Sequence, residues 1–346
     1  MTNQTHHVDP WIDAHLDLTY VALDRAPDAP DLSVEPDRSK ASVSWNSLAR
    51  GRVRACLGTI FTAFGEPEDP CGYLDHDDLE GAHRAGMRQL ELYESWERAG
   101  LIRIARSITD VDRALAGEGP PAVALLMECA DPIRGPEEAE LWVERGVAMV
   151  GLSWSAGSRY SGGNGRAGGL TPAGRELVAA LDEAGAAHDV SHLADDSVDD
   201  LLECARGPIA STHSNARSIH GTGRVSTRNL SADHAREIAA RGGVAGINLF
   251  TRFLTDRDDA DIADVLAHAN SLAEAFGRER IGLGSDLDGG FGPDRLPRGI
   301  DGPEDLDRLL GALEDGGWST GERAAFRCGA WHSFLARIPR LRPADD

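Results

Sequence analysis

Short apolar runs alternate with segments of helical period along most of the chain. The runs begin near residues 11, 53, 121, 147, 187, 208, 243 and 280, and their continuity is typical of strands buried on both faces. The segments between them predict helices at 77–99, 136–145, 172–185, 195–206, 232–241 and 260–276. Eight strands alternating with helices predict a closed (β/α)8 TIM barrel of the α/β class, and a doubly wound open sheet is the alternative.

Two polar segments interrupt this alternation. Residues 24–40 are polar and rich in proline, which predicts a loop within an insertion near 20–50. Residues 155–169 are rich in Gly and Ser, which predicts either a loop that closes over a site or a flexible connection. We expect one domain over residues 1–346 that ends in helices over 303–340.

The charge balance of the chain is strongly acidic. Its 346 residues include 35 Lys and Arg against 57 Asp and Glu, a net charge of −22 at pH 7, while 41% of the residues are apolar. The apolar fraction is sufficient for a large core. The negative charge disfavours nucleic acids and anionic membranes, so we expect neither as a partner.

The cysteines and the first residues bear on the compartment. The five cysteines are odd in number and form no close pairs, which predicts reduced thiols in a cytoplasmic protein. The first residues lack the basic and apolar regions of a signal peptide. No apolar run reaches the roughly 18 residues that would predict a membrane span.

Polar residues that bind metals or carry protons end several of the predicted strands. They are His15 and Asp17 at the first strand, Glu128 at the third, His192 at the fifth, His213 at the sixth and Asp286 at the eighth. The carboxyl ends of the strands meet at one face of a parallel barrel, so we expect all six side chains there. Any one of them alone has a structural explanation, but six on the same face predict a site.

Three histidines and three carboxylates suit two divalent cations about 3.5–4 Å apart. One cation would take His15 and Asp17, the other would take His192 and His213, and Glu128 would bridge them. Such a pair lowers the pKa of bound water and generates a hydroxide nucleophile. Asp286 would accept its proton and pass it to a leaving nitrogen.

The motifs around these residues resemble those of the renal (membrane) dipeptidase family, which belongs to the amidohydrolase-type barrels. They are His15-x-Asp17, Asp189-Val-Ser-His192, Ser211-Thr-His213-Ser-Asn215, Arg228-Asn229-Leu-x-x-Asp233, Gly242-Gly-Val-x-Gly-x-Asn248 and Gly282-x-Gly-Ser-Asp286-x-Asp288-Gly. The resemblance implies a zinc enzyme with two Zn²⁺ per subunit that cleaves dipeptides, often with a D-residue at the carboxyl-terminal side. It also implies that Glu128 bridges the metals and that Arg228 binds the substrate carboxylate. Pairing into a homodimer is common in that family, so both a monomer and a homodimer are open alternatives here.

The pocket departs from the family pattern, although the metal-binding motifs do not. Trp154 stands where the family has a His that steadies the scissile carbonyl, and Cys129 replaces a usual Gly beside Glu128. We expect Trp154, Arg228 and Asp288 to contact the substrate. The alternative for Arg228 is a structural salt bridge with the helix that begins near Ser231. The alternative for Asp288 is a structural role. The alternative substrates are an N-acyl amino acid, a cyclic amide or a lactone. A barrel that binds metal or peptide without turnover is the alternative of another class.

Overall fold

Eight parallel strands surrounded by helices form a barrel in the computed structural model, which describes residues 9–28, 30–34, 41–65, 67–220, 225 and 227–343. The strands are β1 (Trp11–Leu16), β2 (Val53–Ile60), β3 (Ala63–Phe64), β4 (Gly72–Tyr73), β5 (Arg103–Ile104), β6 (Ala122–Met127), β7 (Val147–Gly151), β8 (Ser161–Gly163), β9 (Arg166–Leu170), β10 (Ala187–Asp189), β11 (Ile209–Ala210), β12 (Ala245–Ile247) and β13 (Ile281–Leu283). The α-helices are α1 (Leu18–Arg25), α2 (Trp45–Arg50), α3 (Leu79–Arg98), α4 (Ile108–Leu115), α5 (Ala139–Glu144), α6 (Pro172–Ala184), α7 (Asp195–Cys204), α8 (Ala232–Ala240), α9 (Thr251–Leu254), α10 (Ile262–Phe276), α11 (Asp307–Asp315), α12 (Thr320–Ala324) and α13 (Ala330–Leu335).

The barrel strands follow the order of the chain around the barrel. Parallel pairing runs from β11 through β10, β7, β6, β2, β1 and β13 to β12. Ser211 closes the circle, because its N–H donates to the Val244 carbonyl at 3.0 Å and its carbonyl accepts from the Gly246 N–H at 2.8 Å. The closed barrel confirms the predicted fold class and excludes the open sheet.

Side chains of the barrel strands alternate between two core clusters. On β6, Ala122, Ala124 and Leu126 belong to a cluster that includes Trp331, whereas the residues between them belong to the cluster shared with the outer helices. Trp331 packs against Gly282, where a Cβ would lie 2.4 Å from the indole Nε1. The predicted continuous apolar runs therefore correspond to strands buried on both faces.

The polar segments contain more regular structure than the sequence predicts. The described part of residues 24–40 is irregular beyond Arg25, as expected, but α1 directly follows β1 and α2 follows the loop. Residues 29 and 35–40 of that loop lie outside the described residues. The Gly-rich segment 155–169 forms the antiparallel hairpin β8–β9 where a loop was predicted. Among the described helices, none combines the length and the apolar character that crossing a bilayer requires.

Candidate metal centre and active site

The six predicted polar residues come together at the carboxyl ends of the barrel strands. His15 is in β1, and the others follow their strands as Asp17, Glu128, His192, His213 and Asp286. Each is between 1% and 8% exposed. The fold thus gathers residues that are up to 271 positions apart in one buried cluster.

Three imidazoles surround one oxygen of Glu128. The Nε2 atoms of His192, His213 and His15 lie 3.1, 3.5 and 3.6 Å from Glu128 Oε1. The Nε2 atoms of His192 and His213 are 3.0 Å apart, and the rings of His15 and His213 stack with centroids 3.5 Å apart. All three rings therefore present Nε2 to the same carboxylate.

A second group of ligand-type atoms also includes His15. One ligand atom each from His15, Asp17 and Asp286 lies within 4.8 Å of the others. His15 Nε2 is 3.9 Å from Asp17 Oδ1, and the Thr59 hydroxyl donates to that same oxygen. His15 belongs to both groups, so the two groups are adjacent.

Hydrogen bonds on the far side of two rings hold their Nε2 atoms toward Glu128. His192 Nδ1 is 3.3 Å from Asn164 Oδ1, and Asn164 lies at the tip of the β8–β9 hairpin. His213 Nδ1 is 2.9 Å from Thr212 Oγ1, and the Thr212 hydroxyl donates to Asp189. A proton on each Nδ1 leaves a lone pair on Nε2, which is the arrangement that a metal ligand needs.

Two of the site residues have strained backbones. Among the described residues, the non-glycine positions with positive φ are Arg52, His192 at 67° and Asp286 at 60°. This left-handed region is unfavourable for residues with a Cβ, and such positions concentrate at functional sites. The amide of Asn248 donates to Asp286 Oδ2 at 2.8 Å and fixes the direction of that carboxylate.

Burial makes this cluster unfavourable for charge. It lowers the pKa of His15, His192 and His213 well below the usual value, and the positive charge of Arg228 adds to the effect. It raises the pKa of Asp17 to about 8, with a contribution from the charge of Asp286. The histidines are therefore neutral, with lone pairs available.

The other carboxyl groups of the cluster show the same effect. Burial, with the charges of Asp17 and Asp286, raises the pKa of Glu128 well above its usual value, and burial raises that of Asp286 to about 6. Neutral imidazoles and crowded carboxylates are a donor set that divalent cations stabilise, so the residues fit the metals that the motifs imply. His15 Nδ1 and Asp288 Oδ2 are buried without a hydrogen-bond partner among the described residues.

The metal-free protein is expected to lose stability as the pH rises from 7 to 8.5. Asp17, whose pKa burial raises to about 8, binds a proton in the folded state over much of this range, and the raised pKa of Glu128 acts in the same direction. Both are ionised in the unfolded state, so unfolding releases protons and a rising pH favours it. The free energy of unfolding should fall by about 1.4 kcal/mol per pH unit for each such proton. Histidines add little here, because above their usual pKa they are largely neutral in both states. Urea unfolding of chelator-treated protein at several pH values measures the slope.

Two controls accompany this pH series. Asp17→Asn should reduce the slope in the metal-free protein, since it removes one of the titrating groups. Protein loaded with zinc should lack the slope, because bound cations keep the carboxylates ionised in the folded state. An equal slope with and without metal would contradict the expectation.

Arg228 lies beside the cluster but is largely enclosed. It is 4% exposed, and its Nη1 and Nη2 atoms donate to the Ser214 hydroxyl at 2.9 Å and to the His213 carbonyl at 2.8 Å. The Phe253 ring centroid is 4.9 Å from Cζ, and Nε has no hydrogen-bond partner among the described residues. The contacts described for Arg228 include no salt bridge with the helix near Ser231, which was the structural alternative for this residue.

The other two predicted substrate residues differ in position. Trp154 lines the cleft above the cluster, with its ring centroid 5.7 Å from that of His192 and 5.3 Å from that of Phe61. Asp288 is fully buried and accepts a hydrogen bond from the Asp17 N–H at 2.8 Å. It does not line the cleft, so its position favours the structural alternative.

Several residues around the site were not singled out from the sequence. A cleft of about 430 Å³ opens over the cluster. Its lining includes Asp69 and the aromatic residues Tyr20, Phe61, Phe250, Phe253 and Phe291. Each is an ordinary loop or helix residue in the sequence, and only the fold brings them together.

The family of the chain follows from its sequence as a whole. A sequence profile of the membrane dipeptidase family, peptidase family M19, matches residues 2–327. The chain belongs to the membrane dipeptidase family. This confirms the resemblance seen in the motifs and the predicted activity, that of a metal-dependent dipeptidase.

Individual proteins are similar to this membrane dipeptidase family member over different lengths. A Klebsiella pneumoniae protein named only as uncharacterized, in the pqqA 5′ region, is 31% identical over 211 residues, 57% of this chain and 76% of that protein. An uncharacterized dipeptidase of Schizosaccharomyces pombe is 29% identical over 158 residues, 45% of this chain and 37% of that protein.

Solved structures share the barrel over almost the whole chain. Dipeptidase AC, a metallopeptidase of family M19, has a TM-score of 0.84 and 24% identity, covering 96% of this chain and 99% of that one. A Rhodobacter sphaeroides metallopeptidase, liganded with a phosphinate mimic of L-Ala-D-Ala, has a TM-score of 0.84 and 23% identity, covering 95% and 99%. These likenesses confirm the (β/α)8 fold.

Proposed function

We propose that this chain hydrolyses dipeptides with two zinc ions bound at the strand ends. The observation that carries the proposal is the convergence of three histidine Nε2 atoms within 3.6 Å of a single Glu128 oxygen. Imidazole nitrogens and carboxylate oxygens in this combination suit zinc. A buried cluster of this composition is unfavourable without cations, which supports a role in binding them.

The two groups of ligand-type atoms suggest how the ions would be held. His15 and Asp17 would bind one ion, and His192 and His213 would bind the other. Glu128 would bridge them, since its Oε1 lies 3.6 Å from His15 Nε2 and 3.1 and 3.5 Å from the Nε2 atoms of His192 and His213. The hydrogen bonds of His192 with Asn164 and of His213 with Thr212 support this assignment, because they direct Nε2 inward.

Three side chains would carry the substrate chemistry. The ions, when bound, lower the pKa of a water molecule and polarise the scissile carbonyl. Asp286 would accept a proton from the water and give it to the leaving nitrogen, while Asn248 holds its carboxylate in place. Arg228 would attract the terminal carboxylate of the substrate through its guanidinium.

A D-residue at the carboxyl-terminal side of the dipeptide is part of the proposal. It rests on the resemblance and on the L-Ala-D-Ala mimic held by the Rhodobacter sphaeroides metallopeptidase. A second candidate function is hydrolysis of an N-acyl amino acid, a cyclic amide or a lactone. Trp154 favours it, because an indole donates one hydrogen bond and carries no positive charge where the family has His.

Hydrolysis by metal-reconstituted protein tests the proposed function. Protein stripped with a chelator and titrated with zinc should gain L-Ala-L-Ala and L-Ala-D-Ala hydrolysis that saturates at two equivalents. N-acetyl amino acids, a cyclic dipeptide and a lactone assayed beside them test the second candidate. Two bound ions with no turnover of any of these would favour a metal-binding or peptide-binding barrel without catalysis.

We further propose a cytoplasmic location and a single domain over residues 1–346. All five cysteines are free thiols, three of them buried, which supports a reducing compartment. Fractionation of the native cells tests the location. A homodimer remains a proposal from the family resemblance alone, and light scattering of the purified protein tests it.

A further inference from the structure

Six half-buried aromatic side chains form two walls of the cleft. The first wall consists of Tyr20, Phe61 and Trp154, in which the Tyr20 and Phe61 rings are 5.5 Å apart and the Phe61 and Trp154 rings are 5.3 Å apart. The second wall consists of Phe250, Phe253 and Phe291. The centroid of the Phe250 ring lies 5.0 Å from that of Phe253 and 4.4 Å from that of Phe291.

This concentration of aromatic residues is high for the chain. The sequence holds 7 Trp, 4 Tyr and 8 Phe, so nearly a third of them line a single cleft. None of the six is fully buried, and each leaves ring surface open to the cleft. Apolar surface that stays open around a buried polar centre is typical of a site that binds an apolar group.

The second wall adjoins the proposed carboxylate anchor. Phe253 stacks over the Arg228 guanidinium at 4.9 Å, and its carbonyl accepts hydrogen bonds from the amides of Asn229 and Asn215 at 3.1 and 3.3 Å. These hydrogen bonds hold the backbone of Phe253, so its ring lies beside the Arg228 guanidinium, the proposed anchor for a substrate carboxylate. The side chain on the same residue as that carboxylate would face the second wall.

The first wall includes Tyr20, which lies near Asp69 and near the loop that carries Phe291. Tyr20 is three residues after Asp17 on α1, and a Cβ at Gly290, next to Phe291, would lie 3.7 Å from the Tyr20 hydroxyl. Asp69 lines the cleft beside the first wall and is close enough to Tyr20 for its charge, after burial, to raise the pKa of that hydroxyl. A carboxylate at this side suits the ammonium end of a dipeptide.

We propose that the preferred substrates are dipeptides whose carboxyl-terminal residue carries an aromatic side chain, which packs against Phe250, Phe253 and Phe291. This inference rests on the proposed function, because it takes Arg228 as the anchor for the terminal carboxylate. Acidic side chains are disfavoured, since Asp17, Asp69 and other carboxylates line the cleft.

A dipeptide panel that varies one position at a time tests the preference. With the zinc-loaded enzyme and alanine at the amino-terminal position, kcat/KM for a carboxyl-terminal Phe should exceed that for Ala by roughly tenfold or more, the scale of discrimination that an apolar pocket provides. A carboxyl-terminal Glu should be the poorest. Free phenylalanine should inhibit more strongly than free alanine, which reports binding without turnover.

Variants locate the preference on the second wall. Phe250→Ala should reduce the Phe-to-Ala ratio of kcat/KM about tenfold. Phe64→Ala is the matched control, because Phe64 is half-buried, stacks on His76 and does not line the cleft. Its ratio should equal that of the native enzyme. Thermal unfolding of both variants shows whether each is folded, and inhibition by phenylalanine gives the ratio if turnover is weak.

Each outcome separates the inference from the function on which it rests. Hydrolysis of all dipeptides with equal kcat/KM for Phe and Ala overturns the inference and leaves the proposed function standing. Faster cleavage of a carboxyl-terminal Lys than of Phe also overturns it, since the walls would then bind cations. If the Phe-to-Ala ratio of kcat/KM is unchanged in Phe250→Ala, the aromatic side chain binds elsewhere, and the assignment to the second wall is overturned. No hydrolysis of any dipeptide overturns the proposed function itself.

Discussion

Glu128→Gln is expected to abolish tight binding of both metals and to lower kcat/KM by about 10³-fold or more, the equivalent of the several kcal/mol that metal ions contribute to catalysis. Gln keeps the size of Glu but offers one neutral oxygen, and its NH₂ group cannot ligate a cation. The three histidine Nε2 atoms around Glu128 Oε1 would then face an amide. Metal analysis after dialysis, together with dipeptide kinetics, measures both effects.

The stability of the metal-free variant separates this account from simple misfolding. Without metal, Glu128 is buried beside Asp17 and Asp286 and its raised pKa favours the neutral form, so a neutral amide of the same size should leave the unfolding temperature unchanged or raise it. Glu118→Gln, at an exposed position after α4, is the matched control and should retain two metals and full activity. Two metals retained by Glu128→Gln would contradict the bridging role.

Asp286→Asn is expected to lower kcat by about 10² to 10⁴-fold while both metals remain bound, because the carboxylate is assigned to proton transfer. Asn tolerates positive φ, so the backbone at 60° should be retained. Its carbonyl oxygen can still accept the hydrogen bond from Asn248, which keeps the position of the side chain. Stopped-flow or steady-state kinetics gives the loss of kcat, and metal analysis on the same sample gives the number of metals bound.

The metal content of this variant is the decisive comparison. A ligand and a proton carrier both reduce activity when replaced, but only the ligand reduces the number of metals bound. Asp315→Asn, at the exposed end of α11, should behave as the native protein. Loss of a metal from Asp286→Asn would show that Asp286 is a ligand and would contradict the assigned role.

The barrel could be predicted because its local and global patterns agree. In continuous apolar runs such as β6, the residues on both faces of the strand are buried. Helices between such strands are compatible with few arrangements other than a parallel sheet covered by helices. The position of Glu128 follows from β6, because the first polar residue after such a run lies at the barrel mouth. The ends of the strands thus predict the region of the site from the sequence alone.

The surroundings of the site could not be predicted in the same way. The β8–β9 hairpin is rich in glycine and is held by distant partners, since the Gly162 carbonyl accepts from the hydroxyls of Ser153 and Ser197. Neither interaction is visible in the local sequence. Asn164 reaches His192 only because this hairpin folds over the barrel, so its role was missed.

The burial of Arg228 and the grouping of the aromatic residues could not be predicted from the sequence either. Arg228 would be expected at the surface from its type, but Ser214 and the backbone of His213 accept its hydrogen bonds and Phe253 covers it. The aromatic walls come from separate loops and from α1 and α9, with no periodicity that connects them. Motifs therefore located the ligands, while the shape of the pocket required the fold.

Anomalous diffraction from crystals grown with zinc tests the central claim most directly. Data collected on both sides of the zinc absorption edge should show two ions at the strand ends, one beside His15 and Asp17 and one beside His192 and His213, with Glu128 between them. A single ion, or zinc bound elsewhere with this cluster empty, would contradict the account.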